Sequence, residues 1–337
     1  MRSQCSLFVD AGYLLASVAT RLTGTSLRSG IRVDYEKLIE CLTNQAEKVS
    51  RVPLLRVNWY DAAKNALPDP DQQRIGSLPR VKLRLGRVSF NGEQKGVDLR
   101  IGLDMVAQSR NGAVDVIFLV SGDDDLTEAV EEAQVHGVQV IVLAVADKEG
   151  RPHGVSEHLQ RASDGVELIA AEGLDKVVTR TAAVMVPYAV PRPFPKPGPP
   201  ITPRQLPVIQ APKPGPSITV APLLSAPATN GRVAESSLAY RSETSEPITA
   251  DADFGFADPA VNDAISQVVT GVVKSFKASA GADELADVVK AKPSIPREVD
   301  RALLLDLAHR LEDYDLSDRV RSQLRDHFWD VFEEVSV

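Results

Sequence analysis

Three consecutive aspartates follow a strongly apolar run near the middle of the chain. The segment VIFLVSGDDDLTEAV places Asp123, Asp124 and Asp125 directly after a predicted buried strand and before a predicted helix. Neighbouring carboxylates repel one another unless water screens them or a cation binds between them. An oxygen-only, charge-rich cluster without histidine or cysteine suits a hard divalent cation, Mg²⁺ or Mn²⁺. The chemistry that this pattern indicates is hydrolysis by a metal-activated water.

Two further aspartates are expected at the same place in the fold. Asp10 ends the predicted strand SLFV, and Asp98 lies in the first turn of the predicted helix GVDLRIGLDMVAQSRNG. Ligands of open parallel sheets bind outside the carboxyl ends of the strands, so both side chains are expected to meet Asp123 and Asp125 there. The sequence thus predicts a four-aspartate pocket that holds Mg²⁺ or Mn²⁺ and cleaves a phosphodiester.

Each of these aspartates also has a purely structural interpretation. An aspartate at a helix start is commonly an N-cap, and this interpretation is favoured for Asp124 but is weaker for Asp10, which closes an apolar strand. Asp104 follows Asp98 by six residues, about 120° away around the helix, and either supports the site from the side or faces solvent. Asp61, at the end of LLRVNWYD, is interpreted as a strand-end turn residue.

The elements that must position these side chains alternate through the first half of the chain. SLFVDAG, VDVIFLVSG and VQVIVLAV are apolar runs of strand length, whereas DYEKLIECLTNQAEKV and DLTEAVEEAQVHG have helical spacing. Strands rich in Val, Ile and Leu that alternate with helices are typical of a parallel sheet covered on both faces. We therefore predict an α/β domain with a parallel sheet over residues 1–180.

The second half of the chain changes in composition. Fourteen of the 23 prolines lie between Pro187 and Pro227, which predicts an extended, disordered linker over residues 187–253. Its PxxP spacings suit either a spacer, which is favoured, or a segment that docks in a partner's aromatic groove. Residues 256–337 are predicted to form a small all-helical domain, in which DRALLLDLAHRL carries an apolar stripe.

The bulk composition excludes some classes of protein. A net charge of −8 over 337 residues excludes binding to nucleic acid through overall charge, so affinity for a polyanion would need a local basic patch or bound cations. The two cysteines, Cys5 and Cys41, have no metal-ligand spacing and indicate a reduced, cytoplasmic protein. No apolar run reaches the roughly 18 residues of a membrane helix, so no membrane association is expected.

A local basic patch is predicted in the segment RVKLRL. Strict alternation in a strand would place Arg80, Lys82 and Arg84 on one face, about 7 Å apart, which is close to the phosphate spacing of a single strand. These residues either contact the phosphates of a single-stranded nucleic acid or protect a solvated strand edge against aggregation.

Three ordered blocks carry a resemblance to a known family. LFVDAGYLL, KGVDLRIGLDMV and VSGDDDLTEAVEEAQVHGVQVIVLA together resemble the NYN domain family, a branch of the PIN-like nuclease superfamily, over about residues 5–170. The resemblance implies a parallel α/β sheet, a divalent cation and, as in many members, ribonuclease activity on RNA that is single-stranded or structured. It places the family's acidic set on Asp10, Asp98, Asp123 and Asp125, the four residues reached above.

The same resemblance implies roles for three neighbouring residues. Ser121 fixes the loop or hydrogen-bonds substrate, and Lys95, in the KGxD block, neutralises a phosphate. Tyr13 stands where many members carry asparagine. This departure leaves open a catalytically weak or inactive module that binds RNA or protein through a vestigial acidic pocket. The C-terminal helices or the Pro-rich linker would then recruit a protein partner.

Overall fold

The computed structural model describes residues 3–63, 67–88, 94–181, 259–311, 313 and 316–334. The predicted linker at 187–253, with its PxxP spacings, lies outside these residues. The strands of the described part are β1 (Cys5–Asp10), β2 (Ile31–Val33), β3 (Leu54–Ala63), β4 (Val81–Val88), β5 (Gln94–Lys95), β6 (Val116–Val120), β7 (Gln139–Ala144), β8 (Gly165–Leu168) and β9 (Val178–Arg180).

Helices follow most of these strands, and a further set follows the linker. In the first half they are α1 (Ala11–Thr23), α2 (Tyr35–Ser50), α3 (Pro70–Gly76), α4 (Val97–Arg110), α5 (Thr127–Val135), α6 (Glu157–Ala162) and α7 (Ala171–Val177). In the second half they are α8 (Pro259–Ser279), α9 (Ala282–Lys290), α10 (Arg297–Leu311) and α11 (Asp318–Glu334). Single 3₁₀ turns lie at Arg28–Gly30 and Asp124–Leu126.

The main sheet has the strand order β5-β4-β3-β1-β6-β7-β8. All neighbours in it are parallel except the β4–β5 pair at one edge. From the central β1 the chain builds outward through β3 and β4, and it then returns to place β6 on the other side of β1. The carboxyl ends of β1 and β6 therefore border the point where the strand order reverses, which is where open α/β sheets bind ligands.

Apolar side chains cover both faces of this sheet. β6, VIFLV, is buried along its whole length, as expected for a central parallel strand. On one face Val9 and Trp59 pack with residues of α1 and α2, such as Leu38. On the other face Phe8 packs with residues of α4 and α5, such as Ile101. The result is a three-layer α/β arrangement, and the parallel-sheet fold predicted from the sequence is confirmed.

The C-terminal helices form their own apolar cluster but belong to the same compact unit as the sheet. Val272 of α8, Leu303 of α10 and Phe328 of α11 are fully buried in this cluster. Leu27, from the loop after α1, is also fully buried in it. The sheet domain thus contributes a side chain to the core of the C-terminal helices. Among the described residues, no helix has the length and apolar character needed to span a membrane.

Candidate active site at the carboxyl edge of the sheet

Asp10 and Asp123 stand at the ends of adjacent strands. β1 and β6 pair in parallel up to Val9 and Val120, so their carboxyl ends lie side by side. Asp10 caps α1, and its Oδ1 accepts the amide hydrogen of Gly12 at 2.7 Å. Asp123 caps the 3₁₀ turn and accepts from the amide of Asp125 at 3.2 Å. Both carboxylates serve as caps, which fixes their position at the edge.

Asp98 and Asp125 reach the same edge from elements on one side of the sheet. Asp98 lies in the first turn of α4, and the exposed Asp125 lies in the 3₁₀ turn. α4 packs against both that turn and α5, which brings the two residues toward each other. The fold therefore collects four carboxylates from three separate parts of the sequence.

The charges of these carboxylates act on one another. Burial and the charge of Asp98 raise the pKa of Asp10 to about 6, against the lowering effect of Arg28. Burial raises the pKa of Asp98, and the charge of Asp125 adds to this rise. Burial also raises the pKa of Asp123, as do the charges of Asp98 and Asp125. The charge of Asp98 thus interacts with those of the other three aspartates, while Arg28 acts against the rise at Asp10 and Arg301 against the rise at Asp98.

The donor set fits a hard divalent cation by its chemistry. All four groups are carboxylates, which are the ligands that Mg²⁺ and Mn²⁺ prefer. Within the described ranges, however, no three His, Cys, Asp or Glu side chains are grouped closely enough to hold an ion by themselves. Mg²⁺ usually takes only one or two carboxylates and completes its shell with waters and substrate phosphates. The pocket matches that mode of binding better than it matches a closed protein cage.

Ser121 and Asp124 fix the loop that carries Asp123. The fully buried Ser121 accepts the amide hydrogen of Asp123 through its Oγ at 3.4 Å. Asp124 is exposed and accepts from the Ser156 hydroxyl at 2.7 Å, which ties the loop to the start of α6. This hydrogen bond lowers the pKa of Asp124. Asp124 therefore has a structural partner of its own beside the four-carboxylate group.

Tyr13 holds a second loop against the site. Its hydroxyl donates to the carbonyl of His153 at 2.8 Å and accepts from the amide of Val145 at 3.4 Å. Burial raises the pKa of this phenol, so it stays protonated. Its ring also lies close to Gly122, where an added Cβ would be 2.9 Å from a ring carbon. Tyr13 joins α1 to the segment between β7 and α6.

The predicted basic residues do not form one continuous strip. Arg80 precedes β4 with a left-handed φ of 61°, and its guanidinium lies 3.8 Å from Glu47, at the amino end of the strand. Lys82 is exposed on β4. Arg84 lies farther along the strand, and its Nε is 3.0 Å from Asp104. The positive φ at Arg80 breaks the alternation that would have aligned all three.

Asp104 supports the sheet edge from the side. It accepts a hydrogen bond from the hydroxyl of the buried Tyr60 at 3.0 Å, in addition to its pairing with Arg84. These contacts account for Asp104 within the sheet domain, and its support of the acidic site stays a prediction. Lys95 lies in β5, and its side chain is outside the described part. The sequence had suggested that Asp61 lies in a turn at the end of the strand. It lies instead within β3, which continues to Ala63.

A cavity of about 900 Å³ opens beside the acidic edge. Asp10 and Asp123 line it on the side of the sheet, whereas Arg301 and His309 of α10 line the opposite side. The rings of His153 and His309 stack across it with centroids 5.0 Å apart. The C-terminal helices, to which the sequence assigned no chemistry, thus form one wall of the candidate site.

Two arginines converge at the start of α1. A Cβ added to Gly12 would lie 3.3 Å from a terminal nitrogen of Arg28 and 3.3 Å from one of Arg301. The same point lies 2.8 Å from Oδ1 of Asp10. Arg28 also lies 3.9 Å from Asp61. Glycine at position 12 leaves the space in which these groups meet.

Sequence reasoning missed Arg28 and Arg301. They come from elements at opposite ends of the chain, and no motif spacing links them to Asp10. Arg301 and His309 are eight residues apart and lie beside the apolar stripe of α10 on a common side. Charged residues beside an apolar stripe are usual on a solvent-exposed helix face, so this pattern did not mark α10 as a wall of the site.

Polar contacts hold α10 in place against the sheet domain. The amide of Ser26 donates to both carboxylate oxygens of Asp306, at 3.0 and 3.2 Å. The amide of Ser29 donates to Oε1 of Glu298 at 2.6 Å. Leu27 lies between these two serines and is buried among the C-terminal helices. The loop that carries Arg28 is therefore attached to the helix that carries Arg301.

Comparisons with known proteins cover the sheet domain. Residues 4–170 match the family model described as NYN domain, and all four aspartates lie in this range. One curated relative, "Uncharacterized protein y4oD" of Sinorhizobium fredii (strain NBRC 101917 / NGR234), is 39% identical over 80 residues. That match covers 24% of this chain and 37% of the relative's length. No solved structure matches the chain significantly.

Proposed function

Because residues 4–170 form an NYN domain, a nuclease-like domain, we propose that this protein is a metal-dependent ribonuclease. The observation that carries the proposal is the group of four electrostatically coupled carboxylates at the reversal point of the sheet. Burial is the largest cause of the raised pKa values of Asp10, Asp98 and Asp123, and the charges of neighbouring aspartates add to it, a combination that is typical of functional sites. A bound divalent cation would relieve this repulsion and could then accept the oxygen of a phosphodiester.

In this proposal the four aspartates are the metal ligands. Asp10, Asp98, Asp123 and Asp125 would hold Mg²⁺ or Mn²⁺. Such a cation supplies a water of lowered pKa and stabilises negative charge that develops on the phosphate. The 900 Å³ cavity beside them provides room for the RNA backbone. Lys95, Arg80, Lys82 and Arg84 remain predicted RNA contacts, and of these Arg84 is already paired with Asp104.

Two other residues would prepare the site without touching the reacting atoms. Ser121 accepts the amide hydrogen of Asp123 and so fixes the turn that aims this carboxylate. The Tyr13 hydroxyl forms its hydrogen bonds with the loop between β7 and α6. Tyrosine at this position therefore acts on the shape of the cavity, and the carboxylates remain to perform the chemistry.

Asp123→Asn tests the proposal. Purified full-length protein is incubated with labelled single-stranded and structured RNA, in Mn²⁺ or in EDTA. We expect cleavage by the parent chain only with Mn²⁺ and no cleavage by the variant. The thermal midpoint of the variant should be unchanged or slightly higher, because the substitution removes one of the mutually repelling charges. Asp175→Asn is the matched control, because Asp175 is exposed and, among the described residues, pairs with Arg21 at 3.5 Å.

Equal cleavage by Asp123→Asn and the parent would refute the mechanism. RNA binding without cleavage, together with no rise of the thermal midpoint in millimolar Mn²⁺, would instead indicate a binding module, since a bound metal stabilises by mass action. Cleavage of DNA in place of RNA is the third outcome to distinguish in the same assay.

We also propose a cytoplasmic location, which suits the free Cys5 and Cys41, and a protein partner for the linker or the C-terminal helices.

A further inference from the structure

The C-terminal helices bring a positive charge to the acidic pocket. Arg301 of α10 lines the cavity next to Asp10, and one of its terminal nitrogens lies 3.3 Å from the Cβ position of Gly12. Arg28 of the loop after α1 reaches the same point at the same distance. Two guanidinium groups from opposite ends of the chain therefore meet over the first turn of α1.

These guanidinium groups have unused hydrogen-bonding capacity. Nη2 of Arg28 is buried and has no hydrogen-bond partner among the described residues. Arg301 makes no hydrogen bond to another described residue, and its charge interacts with those of Asp10, Asp61 and Asp98. A buried donor without an acceptor costs about 1–3 kcal/mol or more when it is charged, so such groups are normally paired in the functional state. Among the described residues, no side chain accepts a hydrogen bond from both groups, although Oδ1 of Asp10 lies 2.8 Å from the point at which they meet.

Neutralisation of the aspartates accounts for only part of this geometry. An arginine placed to balance a carboxylate usually forms two parallel hydrogen bonds with it. Arg301 forms no such pair with a described residue and lines the cavity, although its charge interacts with those of Asp10, Asp61 and Asp98. The two arginines also repel each other. An anion bound between them would remove this repulsion, and a phosphate has the size and the oxygen geometry for two guanidinium groups.

We propose that Arg28 and Arg301 bind one backbone phosphate of the RNA next to the four-aspartate pocket. The C-terminal helices then complete the substrate-binding site of the NYN domain. This inference rests on the proposed nuclease function, because it takes the polyanion to be RNA. It also gives a reason for the contacts of Ser26 and Ser29 with α10, since those contacts fix the distance between the two arginines.

The test measures RNA affinity of the full chain in EDTA, where the proposed cleavage does not occur. The probe is a fluorescein-labelled single-stranded oligoribonucleotide, and Kd is measured by anisotropy at several salt concentrations. We expect Arg301→Gln to raise Kd about tenfold and to lower the slope of log Kd against log salt by about 0.7, which corresponds to one phosphate contact on a single strand. Arg301→Lys should restore the salt slope but only part of the affinity, because lysine lacks the planar fork.

Arg319→Gln is the matched control, because Arg319 is exposed on α11 and lines no part of the cavity. Its Kd should equal that of the parent. Thermal unfolding checks the fold, and Arg301→Gln should keep or raise the midpoint because it removes the repulsion with Arg28.

Three results would overturn the inference: no RNA binding by the parent chain, an unchanged Kd for Arg301→Gln, or tighter binding by that variant, which would identify Arg301 as a group that blocks the pocket. Cleavage in Mn²⁺ that is accompanied by an unchanged Kd for Arg301→Gln would refute the inference but leave the nuclease proposal standing. Binding that depends on Arg301, without any cleavage, would refute the nuclease but support the phosphate site.

Discussion

Asp10→Asn is expected to stabilise the protein at neutral pH. The pKa of Asp10 rises from 3.8 to about 6 in the folded state, mainly through burial and then through the charge of Asp98. The folded chain therefore holds this proton more tightly than the unfolded chain does. Stability from this group is complete below about pH 4 and is lost as the pH rises through about 6. Asparagine carries no charge at any of these pH values, so the Asp10→Asn variant does not lose this stability as the pH rises.

The size of the effect follows from the same pKa values. One pKa unit corresponds to about 1.4 kcal/mol, so the rise to about 6 corresponds to about 3 kcal/mol in the free energy of unfolding. Asparagine still accepts from the amide of Gly12, because it is an N-cap residue as good as aspartate. We therefore expect the variant to exceed the parent by up to about 3 kcal/mol at pH 7.5 and to equal it near pH 4.

The assay is urea-induced unfolding of both proteins between pH 4 and 8, in EDTA. Asp34→Asn is the matched control, because Asp34 also caps a helix but is exposed, and its pKa is lowered by hydrogen bonds with Lys37. Its effect should have the opposite sign: a loss of stability at neutral pH that disappears in acid. A stability difference between Asp10→Asn and the parent that does not change with pH would refute the reasoning. Added Mn²⁺ should stabilise the parent more than Asp10→Asn, since the parent alone keeps the complete acidic set.

Two further substitutions test the packing around the site. Leu27→Ala should lower the free energy of unfolding by about 2–5 kcal/mol, because it opens a cavity in the core of the C-terminal helices; urea unfolding should show no such loss for the control Leu67→Ala, whose side chain is 70% exposed. Gly122→Ala should cost about 1–3 kcal/mol in thermal unfolding and should reduce cleavage, because its Cβ would lie 1.7 Å from the carbonyl oxygen of Gly154. Gly165→Ala, where a Cβ meets nothing within 4 Å, should leave both quantities near those of the parent. Equal stability of Leu27→Ala and Leu67→Ala would contradict the burial of Leu27. Equal stability of Gly122→Ala and Gly165→Ala would contradict the close approach of Gly154 to Gly122.

The acidic edge could be anticipated because it depends on local patterns. The run VIFLV predicts a buried parallel strand, and a residue that follows such a strand must lie at its carboxyl end. Asp10 and Asp123 are therefore placed once their strands are recognised. Asp98 follows in the same way from the start of α4. The pattern did not reveal the left-handed φ of Arg80, which takes this residue out of the predicted basic strip.

The sequence by itself determined the α/β class and the edge at which the four aspartates gather, because hydrophobic periodicity fixes strands and strand ends locally. Only the tertiary structure decided that α10 covers this edge, that Tyr13 serves a loop and that Arg28 and Arg301 share one space over Gly12. These contacts join distant residues through hydrogen bonds and through the burial of Leu27. No spacing along the chain encodes them, since they depend on how the C-terminal helices pack against the sheet domain.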